Sequence, residues 1–148
     1  MGSDGADTAS GEAVPEWACR LSTAGSEVWV PREFEEWGPE QREGFLAERE
    51  VCAAEGRVLR FAYSCVERAG AEESESGDGA DPWETAESAL GAAMAMSRGR
   101  AGGVVRAAVE LVERLPRVAV LVWGGWIGLE AVRAIVAQTS LVSDEAIA

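Results

Sequence analysis

The 148-residue chain has no histidine, no lysine and no asparagine. The missing imidazole removes Ser-His-Asp and Cys-His catalysis outright, because both need a histidine to take the proton of the nucleophile. All thirteen basic residues are arginine. Together with the heavy use of Ala, Gly and Val, this reads as a GC-rich gene and speaks of codons rather than function. Cysteine is scarce: Cys19, Cys52 and Cys65 are odd in number, widely spaced and form no Cys-x-x-Cys pair. That pattern argues against a disulfide framework and a structural zinc site, and fits reduced thiols in a cytoplasmic protein. No metal or other cofactor is expected, and no small-molecule ligand is implied. Long apolar runs are absent too. Val118 to Leu129 is free of charge, but it spans only twelve residues and is interrupted by Gly124 and Gly125. A bilayer span needs about 20 apolar residues, so this run is expected in a core and no membrane partner is expected. The N-terminus, with Asp4 and Asp7, has neither the basic start nor the apolar centre of a signal peptide.

What is present is acid. The net charge is −13, unevenly placed: residues 1–80 hold 7 Arg against 18 Asp and Glu, whereas residues 81–148 hold 6 against 8. Such a chain repels nucleic acid at long range, and only a local basic patch could bind it. With 47% hydrophobic residues the chain is long enough for one domain with a core.

Residues 1–13 read as a disordered tail, rich in Gly, Ser, Asp and Ala. Residues 14–69 read as an aromatic docking segment followed by a long helical arm. Residues 22–26 look like a loop. Glu27 to Pro31 alternates weakly, as a short extended piece does, and Trp29, Phe34 and Trp37 give it docking character. From Pro39 an approximate helical period runs through Phe45, Leu46, Cys52, Val58, Leu59, Ala62, Cys65 and Val66. Arg42, Glu48, Arg49, Glu55, Arg57, Arg60, Glu67 and Arg68 are assigned to the wet side. Gly44 and Gly56 each cost about 1 kcal/mol relative to Ala in a helix, and a kink or break is expected near Gly56. Residues 70–80 combine high charge with no apolar side chain larger than Ala, and read as an acidic flexible linker.

Residues 81–148 organise the rest as a compact helical unit. Asp81, Pro82 and Glu84 mark a helix start, with Glu84 placed to close a capping box. Apolar residues follow at Ala86, Leu90 and Ala93. Ser97 ends that helix and can cap the next. The second helix has the cleanest period in the chain: Ala101, Val104, Val105, Ala108, Leu111, Val112 and Leu115. Leu115-Pro116 ends it. Residues 116–123 are rich in β-branched residues and, from Val118, continuously apolar, and periodicity alone leaves helix and strand both open. A last helix starts at Leu129, with Val132, Ile135 and Val136 on one side. Ser143 to Glu145 looks like the start of a further helix.

These residues carry a family resemblance. Leu90 to Ser97, the Ala101…Ala108…Leu111 helix, Leu115-Pro116, Gly125-Trp126-Ile127 and the closing Val132…Ile135-Val136…Thr139 resemble the domain of unknown function 222 (DUF222). That domain stands ahead of HNH endonuclease modules in the 13E12-repeat family. The likeness covers the last stretch of roughly 65 residues well and residues 39–69 loosely. One departure is Gly128, where the family usually has Ser or Thr as a helix cap. The resemblance implies an all-α fold, here an irregular helical bundle with a helix-turn-helix-like unit over residues 81–148. It favours helix for residues 116–123 and implies a role in DNA transactions. It also implies truncation before the nuclease half. An HNH centre needs His as base and metal ligand, so the chain is expected to be catalytically inert.

Three features could carry function. Over residues 85–112, two helices joined at Ser97 form a helix-turn-helix pattern, in which Arg98, Arg100 and Arg106 would face duplex DNA and Ser97 would touch phosphate. The pair Trp123 and Trp126 could mark a partner surface, for self-association or for a nuclease domain. The carboxylates Glu33, Glu35, Glu36, Glu40 and Glu43 read as a solvated face rather than an acid–base or metal set. The expected role is therefore a non-catalytic fragment that binds or positions DNA. The alternatives are an interaction or oligomerisation module, or a remnant of a truncated gene.

Overall fold

In a computed structural model of the chain, residues 18–23, 26–77 and 81–142 are described. The expected tail (1–13), the side chain of Trp29 and the expected helix start at residues 143–145 lie outside the described residues. Contacts divide the chain into two units, Met1–Gly44 and Phe45–Ala148.

The first unit holds β1 (Ala18–Thr23) and β2 (Ser26–Pro31), an antiparallel pair with Cys19 opposite Val30 and Leu21 opposite Val28. The extended piece expected at residues 27–31 is there, but Ser22, Thr23 and Ser26, expected in a loop, belong to the ladder. A single strand leaves its backbone groups unpaired, and the preceding segment supplies the partners. Pro31 then opens a 3-10 helix (Arg32–Glu36) that buries Phe34. The Trp37 and Phe34 ring centroids are 5.6 Å apart, and the Arg42 guanidinium lies over the Phe34 ring, 5.8 Å from its centroid.

The second unit is all-α, as expected. Helix α1 (Pro39–Ser76) begins before the boundary and is unbroken. Its buried residues Cys52, Leu59, Ala62, Cys65 and Ala69 fall on one helical stripe. The break expected at Gly56 does not occur. A Cβ there would lie 2.7 Å from the Val122 carbonyl oxygen, so this glycine admits a close backbone approach instead of ending a helix. Residues 70–76, expected as linker, continue α1. Ala71, Glu72, Glu73 and Glu75 are adequate helix formers, and the stop is Gly77, whose φ of 62° suits a left-handed cap.

Four helices follow: α2 (Pro82–Met94), α3 (Arg98–Glu113), α4 (Pro116–Trp123) and α5 (Leu129–Thr139). Asp81 caps α2 by accepting from the Trp83 N–H at 3.0 Å. Ala86 and Leu90 are buried as expected; Ala93 is exposed. Residues 116–123 form a helix: Pro116 occupies its first turn, and Ala119 and Val122 turn inward.

Helix α3 is the centre. It buries Ala101, Val104, Val105, Ala107, Ala108, Val109 and Leu111, and it packs on α2, α4 and α5. Leu59 and Ala62 of α1, Leu90 of α2, Val122 of α4 and Val132 of α5 join the same core. Each fully buried Val or Leu contributes roughly 1.5–3 kcal/mol, so this cluster carries most of the stability of the unit. The end of α3 is tied to the end of α5 by Arg114, which pairs with Glu110 at 2.6 Å and donates to the Val142 carbonyl at 3.1 Å.

Candidate functional site

Because α3 is buried on most sides, little of it reaches water. Gly99, Gly102, Gly103 and Arg106 follow the i, i+3, i+4, i+7 spacing of one helical face. With Glu87 and Arg98 they line an open groove of about 560 Å³. Three glycines leave the α3 backbone bare along its floor. On one side stands Glu87 of α2, whose Oε1 would lie 2.7 Å from a Cβ on Gly102. Arg133 of α5 is not part of the lining but lies beside it, its Nη2 3.9 Å from where a Cβ on Gly103 would be.

The charged groups of the groove differ in their ties. Arg98 Nη2 meets Glu84 Oε1 at 2.7 Å, and its Nε lies 3.8 Å from Glu87 Oε2. Glu84 therefore reaches Arg98 instead of closing the capping box expected of it. Arg100, Arg106 and Arg133 are exposed and make no ion pair among the described residues. Ser97 caps α3, accepting from the Arg100 N–H at 3.4 Å. Of the arginines read from sequence as facing DNA, the groove takes in Arg98 and Arg106; Arg100 does not line it. Arg133 was missed, because it lies 27 or more residues from the others in sequence and only the α3–α5 packing brings it near.

A helix-turn-helix reader inserts a whole helix face into the major groove. Here seven of the sixteen α3 residues are buried and α2 and α5 flank the rest, so only the shallow glycine stripe is open. Contact through it would be contact with a backbone and its phosphates, not with base edges.

The tryptophan pair is arranged differently from a bare patch. Trp123 is half-buried against the core, with the Arg60 guanidinium 4.9 Å from its ring centroid. Trp126 is half-buried beneath Arg49, 3.6 Å from guanidinium carbon to ring centroid. The exposed large apolar side chains include Val51, Val120 and Leu121 instead.

Arg49, placed on the wet side from sequence, is 8% exposed. Its Nη2 donates to the Gly124 carbonyl at 2.8 Å, and its Nη1 donates to the Gly125 carbonyl. These are two orphan acceptors just past the end of α4. Burial lowers its pKa, with Cys52 opposing, yet a guanidinium stays charged at any physiological pH. Glu55, also placed on the wet side, accepts from the Leu129 N–H at 2.7 Å. It thus caps α5 from a different helix, since Gly128 at the N-cap has no side chain to do so. A Cβ at position 128 would come within 2.5 Å of the same Glu55 oxygen. Between the two, burial pushes the Cys52 thiol up, with Glu48 and Glu55 adding in the same direction. That leaves it a neutral, unreactive thiol. The signal was present in the period: Arg49, Cys52, Gly56 and Leu59 share one helical stripe.

Elsewhere, Cys65, Arg68, Glu72 and Thr85 border a cavity of about 150 Å³. The acidic residues Glu33, Glu35, Glu36, Glu40 and Glu43 are exposed, and no group of three or more metal-ligating side chains gathers among the described residues. No helix among the described residues is long and apolar enough to cross a membrane.

The fold is thus an all-α domain built around one central helix, α3, with a surface groove along its single open stripe. The chain belongs to the family described as Domain of unknown function (DUF222), whose model matches residues 46–148. That span starts within one residue of the second compact unit. No curated protein and no solved structure matches the chain.

Proposed function

We propose that this domain is a non-catalytic DNA-binding module that grips the phosphate backbone along the α3 groove and positions a target for an associated HNH nuclease module. The observation that carries the reading is the groove itself. Arg106 lines it and Arg133 lies next to its Gly103; both are exposed and unpaired among the described residues. Arginine suits phosphate because its planar fork donates two parallel hydrogen bonds. The unevenness of charge supports the same place. The −2 of residues 81–148 repels DNA far less than the −11 of residues 1–80. The module brings no chemistry of its own to such a partnership, since the chain has no histidine to act as base or metal ligand.

The test is a titration of labelled duplex DNA at about 50 mM salt, repeated at rising salt. Wild-type protein should bind with an affinity that falls as salt rises. The Arg106→Ala/Arg133→Ala variant should bind more weakly, with the salt slope reduced by about 2. Binding that is unchanged in that variant, or absent in the wild type, would sink the reading.

A second reading, an interaction or oligomerisation module, is favoured by one observation: Val120 and Leu121 are 49% and 36% exposed on the outer face of α4. Sedimentation at rising concentration separates the two readings. A monomer throughout leaves the second without support.

A further inference from the structure

Arg98 lines the groove with Arg106 but is the groove arginine that is already engaged. Two carboxylates from successive turns of α2 hold it, Glu84 at 2.7 Å and Glu87 at 3.8 Å. The side chains of Arg98 and Glu84 are 67% and 65% exposed, so water screens their attraction and the pair exchanges readily. Glu87 is different. Its side chain is only 23% exposed, and its carboxylate lies against the α3 backbone at Gly102. A negative group thus occupies part of the surface that an incoming phosphate would need.

We infer that Glu84 and Glu87 form an internal competitor for the groove: they hold Arg98 and present their own negative charge where a phosphodiester would bind, so that DNA must displace them. This rests on the proposal that the groove binds a phosphate backbone. In the free protein the carboxylates take the place of the phosphate. When a phosphodiester enters, Arg98 swings from Glu84 to a phosphate oxygen, and the repulsion from Glu87 sets an upper limit on how tightly any one phosphate is held. The arrangement favours a polyanion, which makes several contacts at once, over a single phosphate ion.

The experiment compares duplex DNA binding by the wild type, by Glu84→Gln/Glu87→Gln, and by Glu40→Gln/Glu43→Gln. The last changes net charge equally, at exposed positions outside the groove. Glutamine keeps side-chain length, and a thermal melt of each variant confirms that the fold is kept. The Glu84→Gln/Glu87→Gln variant should bind about 3- to 10-fold more tightly at low salt, while the control changes less than about twofold. In an Arg98→Ala background the gain should shrink, because part of it comes from freeing Arg98. An equal gain in the control, or no gain in Glu84→Gln/Glu87→Gln while the wild type binds, overturns the competitor and leaves the DNA-binding reading standing. No binding by any of the three proteins overturns both.

Discussion

The second unit contains two places built from the same parts and put to opposite use. At the corner after α4, an arginine, a glutamate, glycines and a helix N-terminus meet, in Arg49, Glu55, Gly124, Gly125, Gly128 and the start of α5. Along α3, an arginine, glutamates, glycines and a helix N-terminus meet again, in Arg98, Glu84, Glu87, Gly99, Gly102 and Gly103. Water makes the difference. Arg49 is 8% exposed and stacked on Trp126, so its partners are fixed, and losing Arg49 would strip the Gly124 and Gly125 carbonyls of their donor. The Arg98 side chain is 67% exposed, so its partners can be exchanged for others at little cost. Burial turns a charged group into a structural part; exposure leaves it available for a ligand.

The largest expected effect breaks the buried member of this comparison. Arg49→Ala should destabilise the domain by about 3 kcal/mol, since a buried and a part-buried carbonyl lose their donors and Trp126 loses its cover. Arg49→Lys should recover little, because one ammonium cannot span both carbonyls. Arg98→Ala, at the exposed site, should stay within about 0.5 kcal/mol of the wild type. Urea unfolding of the three variants measures all these values. Next in size is Gly56→Ala, where a methyl group would meet the Val122 carbonyl; overpacking of this kind costs about 1–3 kcal/mol. Smaller again is Glu55→Ala, which removes the carboxylate at the start of α5 and should cost about 1 kcal/mol. Val132, on the first turn of α5, should show the loss as faster amide hydrogen exchange. Smallest is a gain. Ala95 ends α2 in the left-handed region at φ 50°, and Ala95→Gly should raise the melting temperature, stabilising by about 0.5 kcal/mol.

How much of this was legible in the sequence follows from where each element gets its stability. The starts of α2 and α3 are encoded locally, in Asp81-Pro82 and Ser97, and both were readable. The stripe Ala101, Val104, Val105, Ala108 and Leu111 identified α3, but Ala107 and Val109 fell outside it. A central helix is covered on more than one face, and a one-face pattern understates it. Residues 116–123 could not be resolved by period, because the unbroken apolar run from Val118 to Trp123 satisfies a helix and a strand alike. Arg49 and Glu55 were misplaced for a related reason. Charged residues default to the wet side, and what overrides that default is a set of backbone groups about 75 residues away at residues 124–129. Gly56 reads as a breaker because its neighbour across the packing, the Val122 carbonyl, is invisible in sequence. The groove was half legible: Arg98 and Arg106 came from their place on α3, and Arg133 needed the fold.

The most direct test of the central claim is where DNA touches the domain. Backbone amide shifts of the labelled protein should be followed as a short duplex is added at low salt. The account predicts that Gly99, Gly102, Gly103 and Arg106, with Arg133 on α5, move first and farthest, while Val120, Leu121, Trp123 and Trp126 stay in place. Shifts concentrated on α4 with a silent α3 stripe would contradict it.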